Sequence, residues 1–337
     1  MVIDLTDNGK MLKGASKRRH PEQEANRIHF YSVYGLVIAS EEPIQSLAPA
    51  PQDVAPSISV SFEPDGTSLR APKLTLPPHH WIAHAVLPDG GLYLSAPDIF
   101  DVEVSADGRH ARCCLAPGVD RRTVEANLLN IVIGTALTLQ GEEPLHATAI
   151  DLGGVAVALL GSSGAGKSSL AAHLLSRGGD LVTDDMLRLK FDDQQVLALP
   201  GPYRLKLLDE PARIYFPTAS ADGLFNALSG KMMIRPGAVD RRESHGVPLA
   251  ALYFLGDLPG QAPVEEVEAI ALYGLDRVRV LLASAMDDRN TSPSRLARQM
   301  AFVSELSSKL PLFHLRYPRR FEVMDRVAAE IARTLPA

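Results

Sequence analysis

The chain has 337 residues, 46% of them apolar and 22% charged, with a formal net charge of −6 and a pI of about 5.9. That length accommodates two domains, and the acidic balance argues against bulk binding of nucleic acid, which leaves a basic face. The two cysteines, Cys113 and Cys114, are adjacent. They write neither a disulfide framework nor a C-x-x-C metal pair, so a reducing, cytoplasmic setting is expected.

Residues 1–26 are polar and aperiodic, lack the apolar stretch of a secretory signal, and read as a disordered tail with a short basic cluster, "KGASKRRH". From Ile28 the texture changes. "IHFYSVYGLVIAS" predicts a strand pair about Gly35, and "SISVSFEP" alternates with period two. Hairpins are predicted around "PDGG" and "ADGR", and prolines 51, 56, 77 and 78 punctuate the runs. Residues 27–118 are thus expected to form a small, mainly antiparallel β domain.

"DRRTVEANLLNIVIGTALTLQGE" predicts a helix with Asp120 as N-cap and Gly141 as its stop. After it strand and helix alternate, so 119–337 is expected to be an α/β domain. Two strands flank "DLGG", a short helix covers "SSLAAHLLSRGG", and "DLVTDDMLRLKFDDQQVLALPG" is strand-rich. "VPLAALYFLG" reads as a buried strand. "PLFHLRYP" is a strand between the amphipathic helices "SPSRLARQMAFVSELSSKL" and "PRRFEVMDRVAAEIARTL". No apolar run is long enough to span a bilayer, so no membrane partner is expected.

The chemistry concentrates between 146 and 187. Gly161, Gly166, Lys167 and Ser168 fit G-x-x-x-x-G-K-[ST], with Ser162, Ser163, Gly164 and Ala165 between them and Ser169 after. Glycines let backbone N–H groups turn inward around phosphate oxygens, and the following helix N-terminus adds positive potential. Lys167 is placed to reach the β- and γ-phosphates and Ser168 to ligate Mg²⁺, so ATP and Mg²⁺ are the expected cofactors. No N-K-x-D follows, which disfavours a guanine-reading GTPase, and "LSGKMM" is not the ABC-transporter signature. Asp184 and Asp185 come only about seventeen residues after Lys167. That spacing implies a helix leading straight back to a strand beside the loop.

His146, "GSSGAGKS", "SRGG" and "VTDD" fall in an order and at spacings that resemble the HPr kinase/phosphorylase family, whose P-loop domain is akin to phosphoenolpyruvate carboxykinase. The resemblance is specific over about 145–190 and does not extend to the N-terminal half. It implies that Asp185 takes the proton of an acceptor serine, that His146 sits near the γ-phosphate, and that Asp184 supports the metal or the P-loop hydroxyl. A positioned carboxylate suits that acceptor, because a serine hydroxyl is a weak nucleophile.

Glu210 reads as a solvated helix-start glutamate, with a metal-side carboxylate as its alternative. Lys206, Lys231 and Arg235 read as surface residues, each with a phosphate or acceptor contact as its alternative, and "SRLARQ" and "YPRR" read as solvated faces. The family's docking and phosphorolysis segments do not map onto the chain. The β domain followed by the P-loop segment looks more like the stand-alone HPr-kinase-like proteins, some of which phosphorylate a serine of a lasso-peptide precursor. The expected partner is therefore a peptide or protein with an acceptor Ser or Thr, with HPr itself and a non-catalytic nucleotide-binding regulator as alternatives. A homo-oligomer stays open.

Overall fold

The computed structural model describes residues 28–63, 69, 74, 76, 81–219, 221–224, 229–237, 246–260, 264–286 and 292–335, with 221–224 as backbone alone. The tail at 1–26 and most of the polar insert "AVDRRESHG" lie outside the described residues.

Strands β1 (His29–Val33) and β2 (Leu36–Ser40) form a hairpin whose two turn residues, Tyr34 and Gly35, both have positive φ, 55° and 68°. That is the backbone twist a two-residue hairpin requires. Next come β3 (Ala48–Pro49), β4 (Ile58–Phe62), β5 (Ala83–Val86), β6 (Leu92–Ala96), β7 (Phe100–Val104) and β8 (His110–Leu115). They build one sheet in the order β3-β1-β2-β4-β8-β7-β6-β5, with parallel pairing only at β2–β4 and β4–β8. In β7 the residues alternate buried and half-buried, the mark of a sheet covered on one face.

The cover is the helix read from sequence after Asp120. It runs as α1 (Arg121–Asn127), a π-helical turn (Leu128–Val132) and α2 (Ile133–Leu139). The Asp120 side chain accepts from Arg122 N–H, and Gly141 closes the far end at φ 92°. Leu129, Val132, Ile133 and Leu137 pack against Ile38, Ile58, Leu94 and Val102, and Met186 from the second half of the chain joins the same cluster. Packing is therefore continuous across the sequence position at which the composition changes.

The α/β part begins with β9 (Ala147–Asp151) and β10 (Ala156–Leu160), an antiparallel pair. It continues through α3 (Lys167–Ser176), β11 (Asp180–Thr183), β12 (Leu189–Phe191), β13 (Val196–Ala198), β14 (Leu205–Leu207), α4 (Asp209–Tyr215), β15 (Ala221–Leu224) and β16 (Met232–Ile234). The last elements are β17 (Val247–Phe254), β18 (Glu268–Ala271), α5 (Gly274–Ala283), α6 (Pro293–Lys309), β19 (Leu312–Arg316) and α7 (Met324–Thr334). The main sheet has the order β11-β9-β10-β17-β13-β12, with β19 also on β17 and β18 on β19. β14, β16 and β15 form a separate small sheet.

Both faces of the main sheet are covered, which is why β10 reads as an unbroken apolar run, "AVALL". Ile150, Val157 and Leu159 pack under Leu170 of α3 and Val327 and Ile331 of α7. Ala149, Ala158 and Leu160 pack under Leu281 of α5 and Val303 and Leu306 of α6. α3 leads straight back to β11, and β11 is separated from the P-loop strand β10 by one strand. The β9–β10 hairpin turns tightly through Gly153 and Gly154, both at positive φ, and so places β9 between β10 and β11. No helix among the described residues is long and apolar enough to cross a membrane.

Candidate active site at the P-loop

β10 runs fully buried into the loop 161–166, and α3 starts at Lys167. Three loop glycines take positive φ: Gly161 at 141°, Gly164 at 87° and Gly166, the N-cap of α3, at 91°. At Gly161 a Cβ would also lie 2.9 Å from that of Ala165. The tip residues Ser162, Ser163 and Gly164 are exposed, while Ala165, Ser168 and Ser169 are half-buried. Arg319 braces the loop from outside: it donates to the Ala165 carbonyl at 2.7 Å and to the Leu255 carbonyl, and it stacks on Tyr317. The sequence reading of "YPRR" as a solvated face missed this contact.

Lys167 is buried, and its ammonium donates to the carbonyls of Gly161 at 2.5 Å and Ser162 at 3.1 Å. Its third contact is His146 Nε2 at 3.1 Å. Among the described residues no carboxylate pairs with it, and burial pulls its pKa below the usual lysine range. His146 Nδ1 lies 3.0 Å from the Asp185 carbonyl oxygen. That oxygen can only accept, so Nδ1 carries the proton and Nε2 offers its lone pair to Lys167. Burial, then the Lys167 charge, pushes His146 down to about 4.

Asp184 and Asp185 directly follow β11, and Asp185 adopts φ 68°. Left-handed backbone at a non-glycine residue is unfavourable and persists where contacts over-determine it. Here the Asp185 carbonyl holds His146, and the Met186 N–H closes onto the Asp184 carbonyl. Asp184 turns inward, where Oδ1 accepts from Thr148 Oγ1 at 2.7 Å and Oδ2 from the Lys206 N–H at 2.8 Å. Burial, with Asp185 beside it, raises its pKa. Asp185 is half-buried and pairs with the Lys206 ammonium. Burial would raise Asp185, but Lys206 outweighs it and holds the carboxyl well below the usual range.

The structure thus brings Lys167, His146, Asp184 and Asp185 into one connected cluster at the loop. Lys206, read from sequence as a surface residue, is instead buried in it, because its ammonium is paired with Asp185. Lys231 is half-buried, and its charge acts on both Lys167 and Asp185. Glu210 is exposed in the first turn of α4, and Arg235 is exposed. Sequence reasoning also missed Asn130, whose Nδ2 lies 3.4 Å from Asp185 Oδ2. Its signal was a polar residue within the apolar stretch "LLNIVIGTAL", where an amide buried without partners is costly.

Residues 138–208 match the family described as HPr Serine kinase C-terminal domain. Over this segment the chain is HPr kinase-like. The HPr kinase/phosphorylase of Limosilactobacillus reuteri (strain DSM 20016) is 39% identical over 72 residues, 21% of this chain and 22% of that protein. That of Geobacillus thermodenitrificans (strain NG80-2) is 26% identical over 164 residues, 49% of this chain and 46% of that protein. The alignments thus span between about a fifth and a half of these HPr kinase/phosphorylases. The structure of the HPr(Ser) kinase/phosphatase from Coxiella burnetii aligns at a TM-score of 0.31 and 12% identity, covering 56% of this chain and 88% of that chain.

Proposed function

We propose that the protein is an ATP- and Mg²⁺-dependent kinase that transfers the γ-phosphate to a serine or threonine hydroxyl of a peptide or protein. The observation that carries this reading is the cluster Lys167–His146–Asp185: an ammonium with no anionic partner among the described residues, linked through His146 to the backbone carbonyl of Asp185 beside a phosphate-cradling loop. The similarity to HPr kinase/phosphorylases over 138–208 supports a serine acceptor.

In this reading the loop amides and the N-terminus of α3 hold the β- and γ-phosphates, and Lys167 exchanges its carbonyl contacts for phosphate oxygens. Neutral His146 keeps the Lys167 ammonium aimed. Asp185 takes the acceptor proton as the hydroxyl oxygen attacks, which suits a carboxylate held ionised. The residues that would hold Mg²⁺ are Ser168, through its hydroxyl, and Asp184, through its carboxylate, both hard oxygen donors. The ion would neutralise charge on the transferring group. Thr148 and the Lys206 N–H fix the Asp184 carboxylate in orientation.

The acceptor implied by the likeness to stand-alone HPr-kinase-like proteins is a precursor peptide such as that of a lasso peptide, with HPr as the alternative. ADP release from ATP and Mg²⁺, followed with and without a pool of seryl peptides, separates a kinase from a nucleotide-binding regulator. Peptide-stimulated release is expected, and release indifferent to any hydroxyl acceptor would overturn transferase activity.

A further inference from the structure

The two carboxylate oxygens of Asp185 have unlike surroundings. Oδ2 accepts from the Lys206 ammonium and, at 3.4 Å, from Asn130 Nδ2. Oδ1 accepts from no group among the described residues. The Asp185 side chain keeps 16% of its surface open, against 2% for Lys206. One oxygen is anchored from below while the side chain as a whole stays reachable.

Both anchors are themselves fixed. Lys206 is the middle residue of β14, between buried Leu205 and Leu207, and its N–H is held by Asp184. Asn130 lies in the π-helical turn at 4% exposure, and Leu128, Leu129, Ile131 and Val132 of the same turn belong to the apolar core. A π turn inserts one residue into the helical register and re-aims side chains, and such turns recur at functional sites. The Asn130 Oδ1 accepts from the Tyr34 hydroxyl at 3.4 Å. Tyr34 is fully buried and sits in the β1–β2 turn at φ 55°. A line of contacts therefore runs from the β domain through Tyr34 and Asn130 to Asp185.

We propose that Lys206 and Asn130, with Tyr34 behind Asn130, are positioning residues that hold Asp185 by Oδ2 and present Oδ1 to the acceptor hydroxyl. This rests on Asp185 being the base. In the step so arranged, the acceptor oxygen bonds to the γ-phosphorus while its proton passes to Asp185 Oδ1. The bond from the γ-phosphorus to the bridging oxygen breaks, and ADP leaves with that electron pair. Lys206 and Asn130 keep their protons throughout. The β domain thereby contributes to the geometry of the reaction as well as to packing.

The test uses the full chain with ATP and Mg²⁺, and water as the acceptor. It reads single-turnover ADP formation and, separately, ATP affinity. A displaced catalytic group costs about 10²-fold in rate. Asn130→Ala and Lys206→Met are therefore expected to slow the chemical step by roughly 10–100-fold, with ATP affinity unchanged within about twofold. Tyr34→Phe moves in the same direction by less. In an Asp185→Asn background the same substitutions should add nothing, because they act through that carboxylate. Where Lys206→Met does not fold, Asn130→Ser carries the comparison.

Equal slowing in both backgrounds, or a loss of rate matched by a loss of ATP affinity, would overturn the positioning role. A slow Asp185→Asn beside Asn130 and Lys206 variants at the parent rate overturns positioning alone. Asp185→Asn at the parent rate overturns the base assignment and the positioning with it.

Discussion

Lys167 and His146 show how burial without a counter-ion shapes chemistry at the scale of single residues. An ammonium that, among the described residues, is held by carbonyls and a neutral imidazole gains most from an incoming polyanion. Lys167→Ala should therefore remove most ATP turnover and weaken ATP binding more than ADP binding, which calorimetric titration with each nucleotide would check. His146 has a folded-state pKa below its unfolded one, so the unfolded chain binds more protons as pH falls from about 6.5 toward 4. Its contribution to stability is present above about 6.5 and is lost across that window. His146→Asn should flatten the fall of the melting temperature between those limits, and an unchanged slope would contradict the neutral, buried imidazole. The loop lysine and the aspartate pair were legible in the sequence because a short motif fixes their spacing. The burial of Lys206 was not, because nothing in its local sequence marks it as paired, and Asn130 was not, because it lies 55 residues from Asp185 and only the fold brings it there.

Among elements, the strand–loop–helix unit is the most constrained. Gly161→Ala would force an L-residue to φ 141° with its Cβ 2.9 Å from that of Ala165. Strain of this kind costs about 1–3 kcal/mol. The variant should lower the melting temperature and weaken nucleotide binding together, whereas Ser163→Ala at the exposed tip should leave the melting temperature unchanged. Apolar periodicity gave the hairpins about Gly35, "PDGG" and "ADGR" and the helices α3, α6 and α7. It gave neither β18 nor α5, which lie in "EEVEAIALYGLDRVRVLL", a charged segment of weak pattern. The π turn was equally hidden, since an apolar run such as "LLNIVIGTAL" carries no mark of one extra residue per turn.

In the whole molecule the two parts share packing and polar ties. Met186 enters the core of the β domain, and Arg188 joins Glu142 to the Tyr34 carbonyl. Arg204 reaches the Glu125 carbonyl and Ser46. Removal of residues 1–118 would expose the apolar faces of α1 and α2, so the remaining chain should lose cooperative melting along with nucleotide binding. A sharply melting, ATP-binding 119–337 fragment would contradict the shared core.

Peptide phosphorylation tests the account as a whole. The full chain, ATP carrying a labelled γ-phosphate, Mg²⁺ and a pool of seryl and threonyl peptides are incubated together, and the label is located by mass spectrometry. The account predicts phosphate on a serine or threonine hydroxyl, absent with Lys167→Ala and reduced by about 10²–10⁴-fold with Asp185→Asn. Label found only on histidine, on a carboxylate or on the enzyme itself, or equal transfer by Lys167→Ala, would contradict it.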